Sequence, residues 1–151
     1  MNPIVPLQFP PAELELTRKE GVIYIKCLIR RKKLVLTPEE WVRQHIVFYL
    51  IHHCVYPQTL IGVEKPIQYN GLKKRWDIVV FDRNFQPFLL IECKAPEVKL
   101  GIDTANQVFA YHKEVNCPFI CISNGIQTQL WQKDEASKSL IELDAFPIFP
   151  N

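Results

Sequence analysis

Gly71–Lys94 reads GLKKRWDIVVFDRNFQPFLLIECK and holds two apolar runs, Ile78–Phe81 and Phe88–Ile91, separated by Asp82–Pro87. Both runs are rich in β-branched and aromatic residues, and the segment between them carries turn formers, so the stretch predicts a β-hairpin. The runs are continuous rather than alternating, which implies strands buried on both faces. Asp77 stands just before the first run, and Glu92-Cys93-Lys94 closes the second.

Charge at the ends of buried strands needs a reason, because an unpaired charge in an apolar interior costs several kcal/mol. Side chains alternate along a strand, so Glu92 and Lys94 share a face, and an antiparallel neighbour brings Asp77 beside them. Two carboxylates and an ammonium then converge. Oxygen ligands of this kind suit Mg²⁺, which takes one or two carboxylates plus waters and substrate phosphate, and a nearby lysine positions or deprotonates an attacking water.

The 151-residue chain is 48% hydrophobic and 23% charged, the balance of one soluble globular domain. It divides into an N-terminal extension and hairpin over 1–35, a core over 36–132 and a C-terminal segment over 133–151. The start, MNPIVPLQFPP, has neither a basic nor an apolar leader region, and apolar runs long enough for a membrane span are absent, so a cytoplasmic protein without a membrane partner is expected. Five scattered cysteines lack zinc-like spacing and read as reduced thiols. At a net charge of +2, bulk electrostatics do not point to nucleic acid, and local clusters must carry that argument.

The proline-rich first dozen residues read as extended, either packing on the surface or loosely ordered, followed by a hairpin of Leu14–Thr17 and Val22–Leu28. The basic run Arg30–Lys33 is either a solvated loop or a phosphate contact. Thr37-Pro38-Glu39-Glu40 opens a helix expected to reach His53, with Thr37 as N-cap and Glu40 completing a capping box. Glu39 is then the freer acid, in line with Arg43, and its alternative use is to complement the helix dipole. His45, His52 and His53 lack paired-ligand spacing and read as structural. Val63–Tyr69 predicts a strand before the turn Asn70-Gly71. Lys73, Lys74 and Arg75 form either a polar turn or a phosphate-binding edge. A helix is expected over Ala105–Val115, with Ala105, Val108, Phe109 and His112 inward. On it Gln107 either caps from Thr104 or joins Tyr111 in pointing at the strand ends. Phe119–Ser123 and Thr128–Gln132 predict a final hairpin, and Leu140–Phe149 is expected to dock on the core.

Gly71-x-x-x-Arg75-x-Asp77, Ile91-Glu92-Cys93-Lys94, Gln107-x-x-x-Tyr111 and Ser123-Asn124-Gly125, in that order, resemble the PD-(D/E)XK nuclease superfamily. Within it they are similar to the N-terminal nuclease domain of type I restriction enzyme R (HsdR) subunits, over roughly Leu36–Trp131. Trp76 replaces the proline of the superfamily name, as the Arg-x-Asp variant allows. The resemblance implies an α/β restriction-endonuclease-like core, a central mixed β-sheet flanked by helices. It also implies metal-dependent cleavage of DNA. Asp77 and Glu92 would hold Mg²⁺ or Mn²⁺ with the Cys93 carbonyl as a third ligand, and Lys94 would assist water. Glu39, four residues before Arg43, matches a helix glutamate near the metal. Gln107 and Tyr111 would orient Lys94 or the nucleic acid, and Lys73, Lys74 and Arg75 would hold phosphates. With no P-loop present, the likeness extends only to the cutting part of those enzymes, so partners supplying specificity or a motor are expected. The alternatives are a catalytically inactive binding or assembly module on the same fold, or an ion-paired strand cluster with no ligand.

Overall fold

The computed structural model describes residues 2–69, 71–137 and 139–151; the side chains at 69, 72 and 111–114 lie outside that description. The hairpin that opened the reading is present as β5 (Leu72–Phe81) and β6 (Pro87–Cys93), paired antiparallel with a register shift at Val80/Phe81. Asp82 Oδ1 accepts from the Asn84 and Gln86 N–H groups and shapes the turn. Ile78, Val79, Val80, Leu89, Leu90 and Ile91 are fully buried, as continuous apolar runs require.

Around this hairpin the main sheet has the order β4-β5-β6-β7-β8-β9, with β4 (Ile61–Tyr69), β7 (Phe119–Ser123), β8 (Thr128–Lys133) and β9 (Leu140–Leu143). It is mixed, because β6 and β7 run parallel while the other neighbours run antiparallel. A parallel neighbour needs a crossover, and α2 (Ile102–Glu114) supplies it. The chain is therefore an α/β fold with a restriction-endonuclease-like core.

Helix α1 (Pro38–His52) covers one face of the sheet, burying Val42, Ile46, Val47 and Leu50 against Ile78, Val80, Leu89 and Ile91. Ala105 and Val108 of α2 cover the other face, over Val79, Leu90, Ile120 and Ile122. The expected start of α2 at Ala105 is three residues late, so Thr104 lies inside the helix and the Thr104–Gln107 capping box falls away. Between β4 and β5, Tyr69 pairs with Leu72 and Gly71 takes φ +83°, a left-handed conformation that suits a tight hairpin; Asn70 lies outside the described residues.

Three features of the N-terminal third refine or depart from expectation. The predicted hairpin, β1 (Leu16–Lys19) and β2 (Val22–Lys26), gains a third strand, β3 (Lys33–Val35), and forms a separate small sheet. Of the two readings of the first residues, the packed one holds: Trp41 Nε1 donates to the Val5 carbonyl at 2.8 Å, Gln8 N–H donates to the Gly125 carbonyl at 2.7 Å, and Leu7 and Phe9 pack on the core. Glu40 donates its N–H to Thr37 Oγ1 at 3.1 Å, but its carboxylate turns to Arg43 and Gln44 instead of closing the predicted box. The cysteines are all free, four of them buried, and the C-terminal Phe146 and Phe149 dock on the α1-side core. Among the described residues no helix is long and apolar enough to cross a membrane.

Candidate functional site

Strand alternation skips near the start of β5, and the site is built there. Ile78 and Val80 face the α1 side and Val79 the α2 side, yet Trp76 also packs on the α2 side, so the alternation skips at Asp77. Across from Asp77, between the pairs Val63↔Ile78 and Lys65↔Trp76, stands Glu64 with φ 52°. Left-handed backbone at a non-glycine residue inside a strand costs on the order of 1–3 kcal/mol and re-aims the neighbouring side chains. On the other side of Asp77, one position beyond the Ile78↔Ile91 pair, lies Glu92. Asp77 Oδ2 accepts the Cys93 N–H at 2.7 Å, which pins its carboxylate to the end of β6.

Arg43 gathers the acids on the α1 side. Its Nε donates to Glu40 Oε2 at 2.9 Å and its Nη2 contacts Glu40 Oε1; Nη1 lies 3.6 Å from Glu64 and 3.9 Å from Asp77. Burial opposes the charge on this guanidinium, but the Glu40 hydrogen bonds and the charges of Glu40, Glu64 and Asp77 prevail and hold it more firmly protonated than usual. Burial likewise pulls Glu64 upward, and Arg43 and Arg30 outweigh it, so that carboxyl sits below its usual range. Asp77 goes the other way: burial, aided by the charge of Glu92, lifts it to about 6 against the pull of the Cys93 N–H, Arg43 and Lys74.

Glu92 has a different companion. Lys74 Nζ lies 2.9 Å from its Oε2 and 5.0 Å from the ring centre of Trp76. That Oε2 is buried, and Lys74 is its ion-pair partner. A buried carboxylate oxygen held by a cation is also a fitting donor for a hard metal ion that displaces it, and Mg²⁺ needs only one or two carboxylates beside its waters. Among the described residues no three His, Cys, Asp or Glu side chains stand close enough to hold a metal ion on their own. Asp77 and Glu92 are the carboxylates that the strand pairing sets side by side at the cavity.

Asp77, Glu92 and Lys94 line one cavity of about 710 Å³, together with Glu39, Glu40, Arg43, Glu64 and Glu97. Glu92 and Lys94 also line a neighbouring cavity of about 330 Å³ beside α2, where Gln107 and Lys74 join them. The Ser123-Asn124-Gly125 turn holds the backbone here. Ser123 carbonyl accepts the Lys94 N–H at 2.8 Å, Ser123 Oγ accepts the Gly125 N–H at 3.0 Å, and Asn124 Nδ2 donates to the Val98 carbonyl at 2.8 Å.

The structure thus brings together Asp77, Glu92, Lys94 and Glu39 around one cavity and puts Gln107 at the next. The Cys93 thiol belongs to the α1-side core, while its main chain lies at the site. Lys73 and Arg75 are exposed, whereas Lys74 is drawn in against Glu92. Tyr111 is on α2, but its side chain lies outside the described residues. Of the two adjacent glutamates, Glu40 is buried in the arginine network and Glu39 stands exposed at the cavity. The sequence reading missed Glu40, Glu64 and Arg30 as parts of the site. The i, i+3 and i, i+4 spacing of Glu40, Arg43 and Gln44 was a usable signal for the first; Glu64 had only its charge within an otherwise apolar strand start.

A comparison with curated proteins finds no match. The family described as the type I restriction enzyme R protein N terminus matches residues 38–147, from the first turn of α1 to beyond β9 and including every residue from Asp77 to Gly125 discussed above. This chain belongs to the family of type I restriction enzyme R protein N termini.

Proposed function

We propose that the protein is a nuclease that hydrolyses DNA phosphodiester bonds with Mg²⁺ or Mn²⁺. The observation that carries this reading is that Asp77, Glu92 and Lys94 line one cavity, where a buried Glu92 oxygen already holds a cation, Lys74. Asp77 and Glu92 hold the ion, with the Cys93 carbonyl as a third ligand. When bound, the ion polarises the scissile phosphate and lowers the pKa of a coordinated water. Lys94 presents its ammonium to the attacking water and to the charge that develops on the phosphate. Gln107 and Tyr111 orient Lys94 or the nucleic acid, Glu39 acts at the cavity mouth, and Lys73, Lys74 and Arg75 contact phosphates. Family membership supports DNA as substrate and partner subunits that supply specificity or a motor, in the cytoplasm.

Purified protein incubated with plasmid, linear and single-stranded DNA, with Mg²⁺, Mn²⁺ or EDTA, tests this directly. Divalent-dependent cutting that Asp77→Ala and Glu92→Ala abolish is the expected result. A second reading, a binding or assembly module without catalysis, is favoured by one observation: Arg43 and Lys74 already sit against Asp77 and Glu92. DNA binding without cutting under any divalent ion selects that reading.

A further inference from the structure

The family match begins at residue 38, and β1, β2 and β3 all precede it, yet this small sheet forms a wall of the cavity through Arg30, Leu34 and Val35. The turn between β2 and β3 is fastened to the core. Leu28 N–H donates to Gln44 Oε1 at 3.0 Å, Gln58 Nε2 donates to the Leu28 carbonyl at 3.1 Å, and Arg31 N–H donates to the Cys27 carbonyl at 2.8 Å. Arg30 Nη1 donates to Glu64 Oε2 at 2.7 Å, joining the turn to the residue opposite Asp77.

Arg31, Lys32 and Lys33 lie between two residues that line the cavity, Arg30 and Leu34, and all three are exposed. They therefore stand at its rim. A basic run is usually a solvated face, but this one is held in place at both ends, and Arg31 adopts φ 59°. The cavity wall itself carries six acidic side chains against Arg30, Arg43 and Lys94, so its own charge repels an anion. A polyanion reaching Lys94 needs cationic support outside that wall, and the turn is placed to give it. Val35, 53% exposed at the same rim, adds apolar surface beside the cations.

We propose that the β2–β3 turn is a phosphate-contacting arm, with Arg31, Lys32 and Lys33 engaging the sugar–phosphate backbone of duplex DNA and the Arg30–Glu64 bridge holding the arm over the cavity. The proposal rests on the nuclease reading for the identity of the polyanion. Its test is the salt dependence of binding of a labelled duplex, in EDTA, to wild type, to Arg31→Ala/Lys32→Ala/Lys33→Ala, and to Arg18→Ala/Lys19→Ala. The last pair removes charge next to the β1–β2 turn at the opposite end of the same sheet. The triple variant is expected to lose about tenfold in affinity and to flatten the log–log salt slope by about 3. The Arg18/Lys19 variant should stay within about twofold of wild type. A triple variant that binds with wild-type slope, or an Arg18/Lys19 variant that loses as much, overturns the arm while leaving the nuclease reading intact. A wild-type protein that binds no duplex overturns both.

Discussion

Lys74 Nζ stands 2.9 Å from Glu92 Oε2, so a lysine of β5 occupies the carboxylate that β6 offers to the cavity. A divalent ion on Glu92 has to compete with that ammonium. Lys74→Met is therefore expected to tighten Mn²⁺ binding severalfold by calorimetric titration, while lowering the thermal stability of the metal-free protein because Glu92 is left without its counter-charge. Unchanged Mn²⁺ affinity would show that the pair does not compete with a metal.

Arg43 and Glu40 are both buried and bonded to each other, and breaking such a pair from one side typically costs about 3–5 kcal/mol. Arg43→Met and Glu40→Gln should each lower urea stability by about that much, and the double variant by clearly less than the sum. Additive losses would mean the two side chains stabilise the fold independently.

The pH dependence follows from Asp77, whose carboxyl is raised to about 6 chiefly by burial. A raised carboxyl favours the protonated folded state. Its contribution to metal-free stability is thus fully present below the ordinary carboxylate range, about pH 4, and is lost as pH rises through about 6. After allowance for partial exposure, the effect is on the order of 1–3 kcal/mol. Asp77→Asn should remove this component and leave a flatter profile between those limits. Added Mg²⁺ should reverse the trend in wild type, raising the melting temperature more at pH 8 than at pH 5, because ion and proton compete for the same oxygens. A metal-free profile identical in wild type and Asp77→Asn would refute the assignment.

Lys94 lies at both cavities and is assigned no ligand role. Lys94→Ala should leave Mn²⁺ and DNA affinity within a few fold and reduce cleavage by at least about 100-fold, since it removes an interaction made in the transition state. Arginine should rescue poorly, being bulkier and permanently protonated. Cutting by Lys94→Ala at the wild-type rate would assign the activity to another group.

Gly125 has φ +85°, and a Cβ there would come within 2.7 Å of Leu7 Cδ2 and 3.1 Å of Val42 Cγ2. Gly125→Val should destabilise by about 2–4 kcal/mol, combining left-handed strain with displacement of the N-terminal arm. Limited proteolysis should cut that arm near Leu7 faster than in wild type. An arm equally protected in the variant would show that Leu7 accommodates the new side chain.

The hairpin, α1 and the neighbourhood of Asp77, Glu92 and Lys94 were legible in the residues, because these depend on local period, turn chemistry and caps, whereas the mixed α/β core was legible only through the family resemblance, since its parallel β6–β7 pairing is non-local. Ile78–Phe81 and Phe88–Ile91 could only be buried strands, and Thr37-Pro38 only a helix start. Folding alone sets where charges from distant segments meet. The left-handed Glu64 and the alternation skip at Asp77 arise from pairing of β4 with β5, a non-local event with no periodic trace. The partner of Arg43 is Glu40 rather than Glu39 because burial against the sheet selects which of two adjacent acids turns inward. Lys74 of β5 reaches Glu92 of β6, and Arg30 reaches Glu64 across 34 positions of chain. Backbone preferences act over a few residues, whereas desolvation and charge pairing act across the folded surface, so the elements were legible one by one and their electrostatic partners were not.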